Sequence, residues 1–175
     1  APPVNSPPRS SETSAASPST NRSTVSPSTE GTASSNSFTN SALVTIPGSG
    51  ASGAAAPYPS TITVAGVPGP VARVSVTLYG VNHTYPDDMD ILLVSPGGQK
   101  LLLLSDAGGG TDAVNLNLTF SDLAAAPLGD TSAMTSGTWQ PSNYGTGDTF
   151  DAPAPAAPYA TNLATFNGSD ANGTW

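Results

Sequence analysis

Five aspartates carry the clearest chemical signal in this sequence. Asp87, Asp88 and Asp90 lie together where one apolar run begins, and Asp106 and Asp112 bracket a Gly-rich segment after the next. Ca²⁺ favours several carboxylate and carbonyl oxygens presented by flexible loops, so these five are the candidate metal ligands and Ca²⁺ the candidate cofactor. Pairing of the two apolar runs as a hairpin would bring Asp88 or Asp90 near Asp106. The spacing does not match an EF-hand loop, and a plainer reading stands beside this one: Asp next to Gly, Pro, Ser or Thr commonly closes turns through its own side chain. Zinc is disfavoured, because one His and no Cys supply too few of its preferred ligands.

Catalytic groups are scarce. Nucleophilic catalysis needs a base beside an activated hydroxyl or thiol. His83 is the single imidazole, and the chain has no Cys and no Gly-x-Ser-x-Gly elbow. A grouping of His83 with Ser105 and Asp88 competes with a His that merely bonds a turn, and the second reading is preferred. Both glutamates, Glu12 and Glu30, precede residue 37, and glycoside chemistry requires a carboxylate pair flanking a cleft. The expectation is a non-enzymatic protein.

Five Asn-x-Ser/Thr sequons are present, at Asn21, Asn82, Asn117, Asn167 and Asn172, and each is a candidate N-glycosylation site in a secreted chain. Residues 1–36 contain 22 Ser, Thr or Pro, with Val4 and Val25 the only larger apolar side chains. That stretch cannot bury enough apolar surface to offset the roughly 1–2 kcal/mol per residue lost on ordering its backbone. It reads as an extended arm or linker, with its Ser and Thr as candidate O-glycosylation sites. Trp139, Tyr144, Tyr159 and Trp175 are aromatic enough for sugar stacking, but their spacing defines no common surface, and core or interface roles suit them better.

The elements that must position these residues are strands. Val71–Tyr79 alternates, with Ala72, Val74, Val76 and Leu78 on one face and Arg73, Ser75, Thr77 and Tyr79 on the other, as a half-buried strand does. Asp90–Val94 and Lys100–Leu104 flank Ser95-Pro96-Gly97-Gly98 and predict a hairpin. Leu101–Leu104 is apolar on both faces, which suits a central strand. Val114, Leu116, Leu118 and Phe120 alternate with polar residues, and shorter runs at Ala42–Ile46 and Ser60–Val67 complete six predicted strands. A helical turn is expected over Ser121–Ala126, stopped by Pro127, and no convincing core strand is expected over Pro127–Trp175. The fold class predicted is all-β: an antiparallel β-sandwich or jelly roll over residues 37–175, with residues 1–36 as its arm.

With four cations, twelve anions and a net charge of −8, the chain repels phosphate backbones and anionic lipid, so neither nucleic acid nor membrane insertion is expected. No window approaches the roughly 18 apolar residues of a membrane span, and the chain is expected to work outside the cell.

The run His83-Thr84-Tyr85-Pro86-Asp87-Asp88-Met89-Asp90-Ile91-Leu92-Leu93-Val94-Ser95-Pro96-Gly97-Gly98 resembles the signature of the P domain, or Homo B domain. This is the β-sandwich companion of kexin- and furin-like proprotein convertases, and a similar domain occurs in secreted bacterial proteins. Val44-Thr45-Ile46-Pro47, Tyr58–Val64, Leu103–Gly109, Tyr144-Gly145-Thr146-Gly147-Asp148 and Phe166-Asn167-Gly168 resemble the bacterial version. In that family the segment matching Asn172–Trp175 leads into strands that close the sandwich. The resemblance therefore implies one of two things: the sequence is a truncated piece of a longer chain, or an unfinished sandwich takes a strand from elsewhere, with the N-terminal arm of a neighbouring copy a plausible donor. Two functions follow as expectations: a glycosylated structural or adhesive subunit of an extracellular polymer or filament, or an accessory P domain of a larger secreted subtilisin-like protease.

Overall fold

The computed structural model describes residues 22–29 and 35–175. Ten strands and two short 3-10 turns make up its regular structure, so the all-β class predicted from periodicity holds. A five-stranded sheet runs in the order β2 (Phe38–Asn40), β1 (Arg22–Thr29), β4 (Val71–His83), β7 (Ala113–Phe120), β8 (Gly137–Trp139). A three-stranded sheet orders β5 (Ile91–Val94), β6 (Lys100–Ser105) and β9 (Ser142–Asn143), and β3 (Thr63–Val64) pairs with β10 (Gly173–Thr174). Most pairings are antiparallel, as expected. The short contacts β7–β8 and β6–β9 are parallel, a departure made possible because long loops, not tight turns, lead into β8 and β9.

Alternation along the strands sorts the five-stranded sheet into two faces. Phe38, Val25, Val76, Phe120 and Trp139 are successive cross-strand partners and form one apolar row. Val25, Val76 and Phe120 are buried in the core cluster, while Phe38 and Trp139 at the two ends pack against it half-buried. One residue along, the partners are Thr39, Thr24, Thr77, Thr119 and Thr138, which face the other way. The same core cluster takes Leu101, Leu103 and Leu104 from β6, Val64 from β3, and Leu163, Phe166 and Trp175 from the C-terminal stretch. One apolar core thus unites all three sheets.

The strand β1 lies inside the stretch read as an arm. Its eight residues pair with β4 from Arg22↔Tyr79 to Thr29↔Val71, and three of them also pair with β2. Propensity is overridden here by burial of Val25, which is 1% exposed, together with Thr24 and Pro27. Pro27 is tolerated in the strand for a geometric reason. Its carbonyl accepts the Asn36 N–H at 3.3 Å, so its missing donor faces the β2 side and the β4 ladder is intact.

Other boundaries differ from expectation. Ala42–Ile46 forms no strand but a single bridge, Thr45 with Ala56, and Ser60–Val67 contracts to Thr63–Val64. Ser121–Ala126 is a turn, not a helical one: Ser121 Oγ accepts the Leu123 N–H and its carbonyl accepts the Ala124 N–H, so the serine closes a local loop. Pro127–Trp175, read as lacking core strands, supplies β8, β9 and β10. Trp175 and Ile62 exchange two backbone hydrogen bonds of 2.9 Å each, and the Trp175 indole donates to Ala171 O at 2.8 Å. The expected hairpin is present, with Gly98 at φ +84 closing on Ser95 O, and β6 lies between β5 and β9 with Leu101–Leu104 at most 3% exposed.

Candidate functional site

Three carboxylates converge where β5, β6 and β9 meet. Asp90 immediately precedes β5, Asp106 immediately follows β6, and Asp148 lies on the loop after β9. Each can offer an oxygen within 4.8 Å of the other two. Local sequence explains the placement. Pro86 starts a 3-10 turn over Pro86–Asp88, and buried Met89 anchors its end, which delivers Asp90 to the strand edge. Asp106 adopts φ +48, a left-handed conformation that Asp tolerates better than most residues. A Cβ on Gly145 would stand 1.9 Å from Asp106 Oδ2, so only glycine lets the Asp148 loop close over this carboxylate.

Ser105, fully buried at the end of β6, donates to Asp90 Oδ1 at 2.5 Å and lies 3.2 Å from Asp106 Oδ2. Burial pushes the Asp90 carboxyl above the ordinary carboxylate range. The Ser105 hydroxyl opposes that shift, while the charges of Asp148, Asp106 and Asp88 reinforce it. Asp87 is raised in the same way, by burial first and then by Asp106, Asp130 and Asp88, against a hydrogen bond from Gly109. Raised folded-state values mean that the fold binds protons more tightly than the unfolded chain, whose Asp titrates near about 3.9. Their contribution is therefore most favourable at low pH and is lost as pH rises through the raised values. In chelator, the Tm component from these two groups is expected to increase on acidification from about pH 7 towards about pH 4. Asp90→Asn should flatten that slope in a calorimetric pH series; an unchanged slope would show that burial and the neighbouring carboxylates do not raise Asp90.

The structure brings together two of the five predicted ligands, Asp90 and Asp106, and adds Asp148. Asp87 and Asp88 stay in the 3-10 turn, and Asp112 is exposed beyond the Gly-rich loop. Neither they nor Asp112 belong to the cluster. Asp148 escaped sequence reading because it is 42 residues from Asp106 in a stretch without periodicity; the flanking Gly145 and Gly147 were its only local signal. Beside the cluster, a cleft of about 280 Å³ is lined by Asn143, Asp148, Tyr159 and Thr161 over Leu102.

His83 Nδ1 sits 2.8 Å from Tyr85 O and 3.2 Å from Tyr85 N, the turn-closing arrangement, while the Ser105 hydroxyl is engaged by Asp90 and Asp106. The sequons separate by what their amides do. Asn82 Nδ2 donates to Gly80 O and its Oδ1 accepts the Asn115 N–H. Asn172 Nδ2 donates to Val67 O and to Asp170, and its Oδ1 accepts the Val67 N–H. Both amides clasp the backbone. Asn117 is exposed, with only its Oδ1 engaged, by Gly80 N–H, and Asn167 is exposed on a turn. Asn21 and most of the Ser and Thr of 1–36 lie outside the described residues. Of the four aromatics, Trp175 is buried against Phe166, Trp139 packs on the core, Tyr159 contacts Phe150 edge-on, and Tyr144 is 44% exposed. They form no shared platform. Among the described residues, no helix is long and apolar enough to cross a membrane.

No protein-family model matches the chain, and neither a curated protein nor a solved structure matches it.

Proposed function

We propose that this chain is a non-enzymatic extracellular β-sandwich module, a glycosylated structural or adhesive subunit of a surface polymer or filament joined by exchange of β1 between copies. The observation that carries this reading is the position of β1. It comes from a Ser/Thr/Pro-rich stretch, fills a place inside the five-stranded sheet, and connects to β2 only through residues 30–37. A strand so tethered can make the same pairs with β4 of a second copy, and the buried apolar anchors among its described side chains are Val25 and Pro27. Head-to-tail donation of this kind propagates unless it closes into a ring. Ca²⁺ at Asp90, Asp106 and Asp148 would relieve their mutual repulsion and lock the loop after β9 to β6. Glycans fit best at Asn117 and Asn167, where the amide nitrogen is free of the fold. The P-domain resemblance around His83–Gly98 supports the sandwich and the secreted setting. It also supports the alternative of an accessory domain in a larger secreted subtilisin-like protease, which lacks the structural support that β1 gives to exchange.

The test uses the absence of native cysteine. Ser26 and Ser75 are cross-strand partners on the outward face, so the S26C/S75C double variant can form its disulfide within a molecule or between donor and acceptor. After incubation at high concentration and oxidation, a ladder of covalent multimers is expected on a non-reducing gel. Monomer alone at every concentration would overturn the exchange.

A further inference from the structure

We infer that the open edge of β5 is a self-association surface, where two copies of this chain pair β5 with β5 antiparallel about a twofold axis at Leu93. The three-stranded sheet runs β5–β6–β9, so among the described residues β5 has a strand on one side only. Which of its backbone groups face the open side follows from β6. Leu102 N–H donates to Ala160 O, and Lys100 O accepts the Ala160 N–H, so both residues turn these peptide groups away from β5. Their partners in β5 are Leu92 and Val94. Those are therefore the non-hydrogen-bonded pairs of the ladder, and Leu92 and Val94 point N–H and C=O outward. Ser95 N–H, which donates to Gln99 O at 2.9 Å, keeps the same alternation.

Natural sheets blunt such an edge with a charge, a proline or a bulge. Ile91-Leu92-Leu93-Val94 holds neither charge nor proline. Its register shift, between Ile91↔Leu104 and Leu92↔Leu102, places the extra residue in β6, so β5 itself stays regular. All four side chains are half-buried, with Ile91 and Leu93 packed against the core. A strand added here would cover the rest of their apolar surface and engage the outward backbone groups.

A second copy fits that edge in one register. Outward Leu92 meets outward Val94 of the second copy, so each such contact exchanges both backbone bonds, and Leu93 meets its own equivalent on the axis. Charge permits the arrangement. Asp90 falls opposite Pro96 of the second copy, and the two Asp90 residues stand about 20 Å apart along the ribbon at about 3.4 Å per residue. That exceeds the Debye length of about 8 Å at physiological ionic strength, so the two acidic clusters do not oppose each other. Each lies instead at the end where the other copy carries Lys100, the only lysine in the sequence. Segments of the N-terminal stretch match less well. Residues 1–21 offer Val4 as their one apolar side chain larger than Ala or Pro, and β1 carries Pro27. The twofold contact is closed, so on its own it stops at a dimer, and combined with β1 exchange it would join filaments side by side. It needs only the β5 edge and stands without that exchange.

The experiment is sedimentation velocity of the S26C/S75C variant oxidised at low concentration, in which β1 is fixed within its own molecule. A monomer–dimer equilibrium is expected as concentration rises. Val94→Pro removes an outward N–H and leaves the β5–β6 ladder in place, so it should weaken dimerisation about tenfold or more, whereas Val94→Ile should dimerise as the parent does. In the otherwise cysteine-free chain, Leu93→Cys should form a disulfide dimer about tenfold faster than Ile91→Cys, because only residue 93 meets itself. That comparison holds even if the proline variant fails to fold. Monomer at every concentration, undiminished dimerisation of Val94→Pro, or equal cross-linking at positions 91 and 93 would overturn the inference. So would a monomeric parent whose Val94→Pro variant loses the same Tm at every concentration, because the edge would then belong to another segment of the same chain.

Discussion

Val25→Asp is expected to lower unfolding stability by about 3–5 kcal/mol, the cost typical of an unpaired buried charge. Val25 is 1% exposed, and its cross-strand neighbours are Phe38 and Val76. In that apolar setting the new carboxylate must either stay protonated or pull β1 out of the sheet. In the second case the remaining fold keeps β4 paired with β7, while residues 22–29 become open to protease. Urea melts combined with limited proteolysis read both effects. A loss under about 1 kcal/mol with no new cleavage would show that β1 is not seated as described, and the exchange mechanism would lose its donor. The same variant should give no covalent ladder in the S26C/S75C background.

The second large effect is at the opposite end of the described chain. Trp175→Ala is expected to cost about 3–5 kcal/mol, as deletion of a large buried aromatic does. The indole sits 5.1 Å, centre to centre, from the Phe166 ring, which is fully buried, and donates to Ala171 O. Its backbone bonds to Ile62 do not involve the side chain and can persist, so the loss measures packing, not strand pairing. Differential scanning calorimetry would show it as a lower Tm in one cooperative transition. A near-neutral result would mean that the C-terminal stretch is bound outside the main folding unit, and that β3 could accept another strand in place of β10.

Much of the sheet was legible because burial on one face leaves a period-two imprint. Val74, Val76 and Leu78 in β4, and Leu118 and Phe120 in β7, point into the core as their alternation requires, and Ser95–Gly98 sets the β5–β6 turn through ordinary turn chemistry. The strand β1 was not legible. Arg-Ser-Thr-Val-Ser-Pro-Ser-Thr holds one apolar side chain beyond Pro27, and what selects it is the match of Val25 to the gap between Phe38 and Val76. Strands β8, β9 and β10 span two or three residues each, too few for any period, and are specified by the long strands they join. The same distinction governs the acidic cluster. Asp90 and Asp106 are tied by the hairpin and could be placed beside each other, whereas Asp148 arrives through a loop whose path depends on Gly145 yielding space to Asp106. The threonine row was invisible for a related reason. β1 holds two Thr and the other four strands one each, and only the register of four pairings aligns Thr24 with the rest.

The margins of the five-stranded sheet, β2 and β8, are three residues each. Such stubs offer an incoming backbone very few free amides and carbonyls, and on the part of β1 that β2 leaves uncovered Pro27 removes a donor from the edge. Amyloid-type accretion along this sheet is thereby discouraged, so a chain with little surface charge can be held at high local concentration without collapsing into cross-β aggregates.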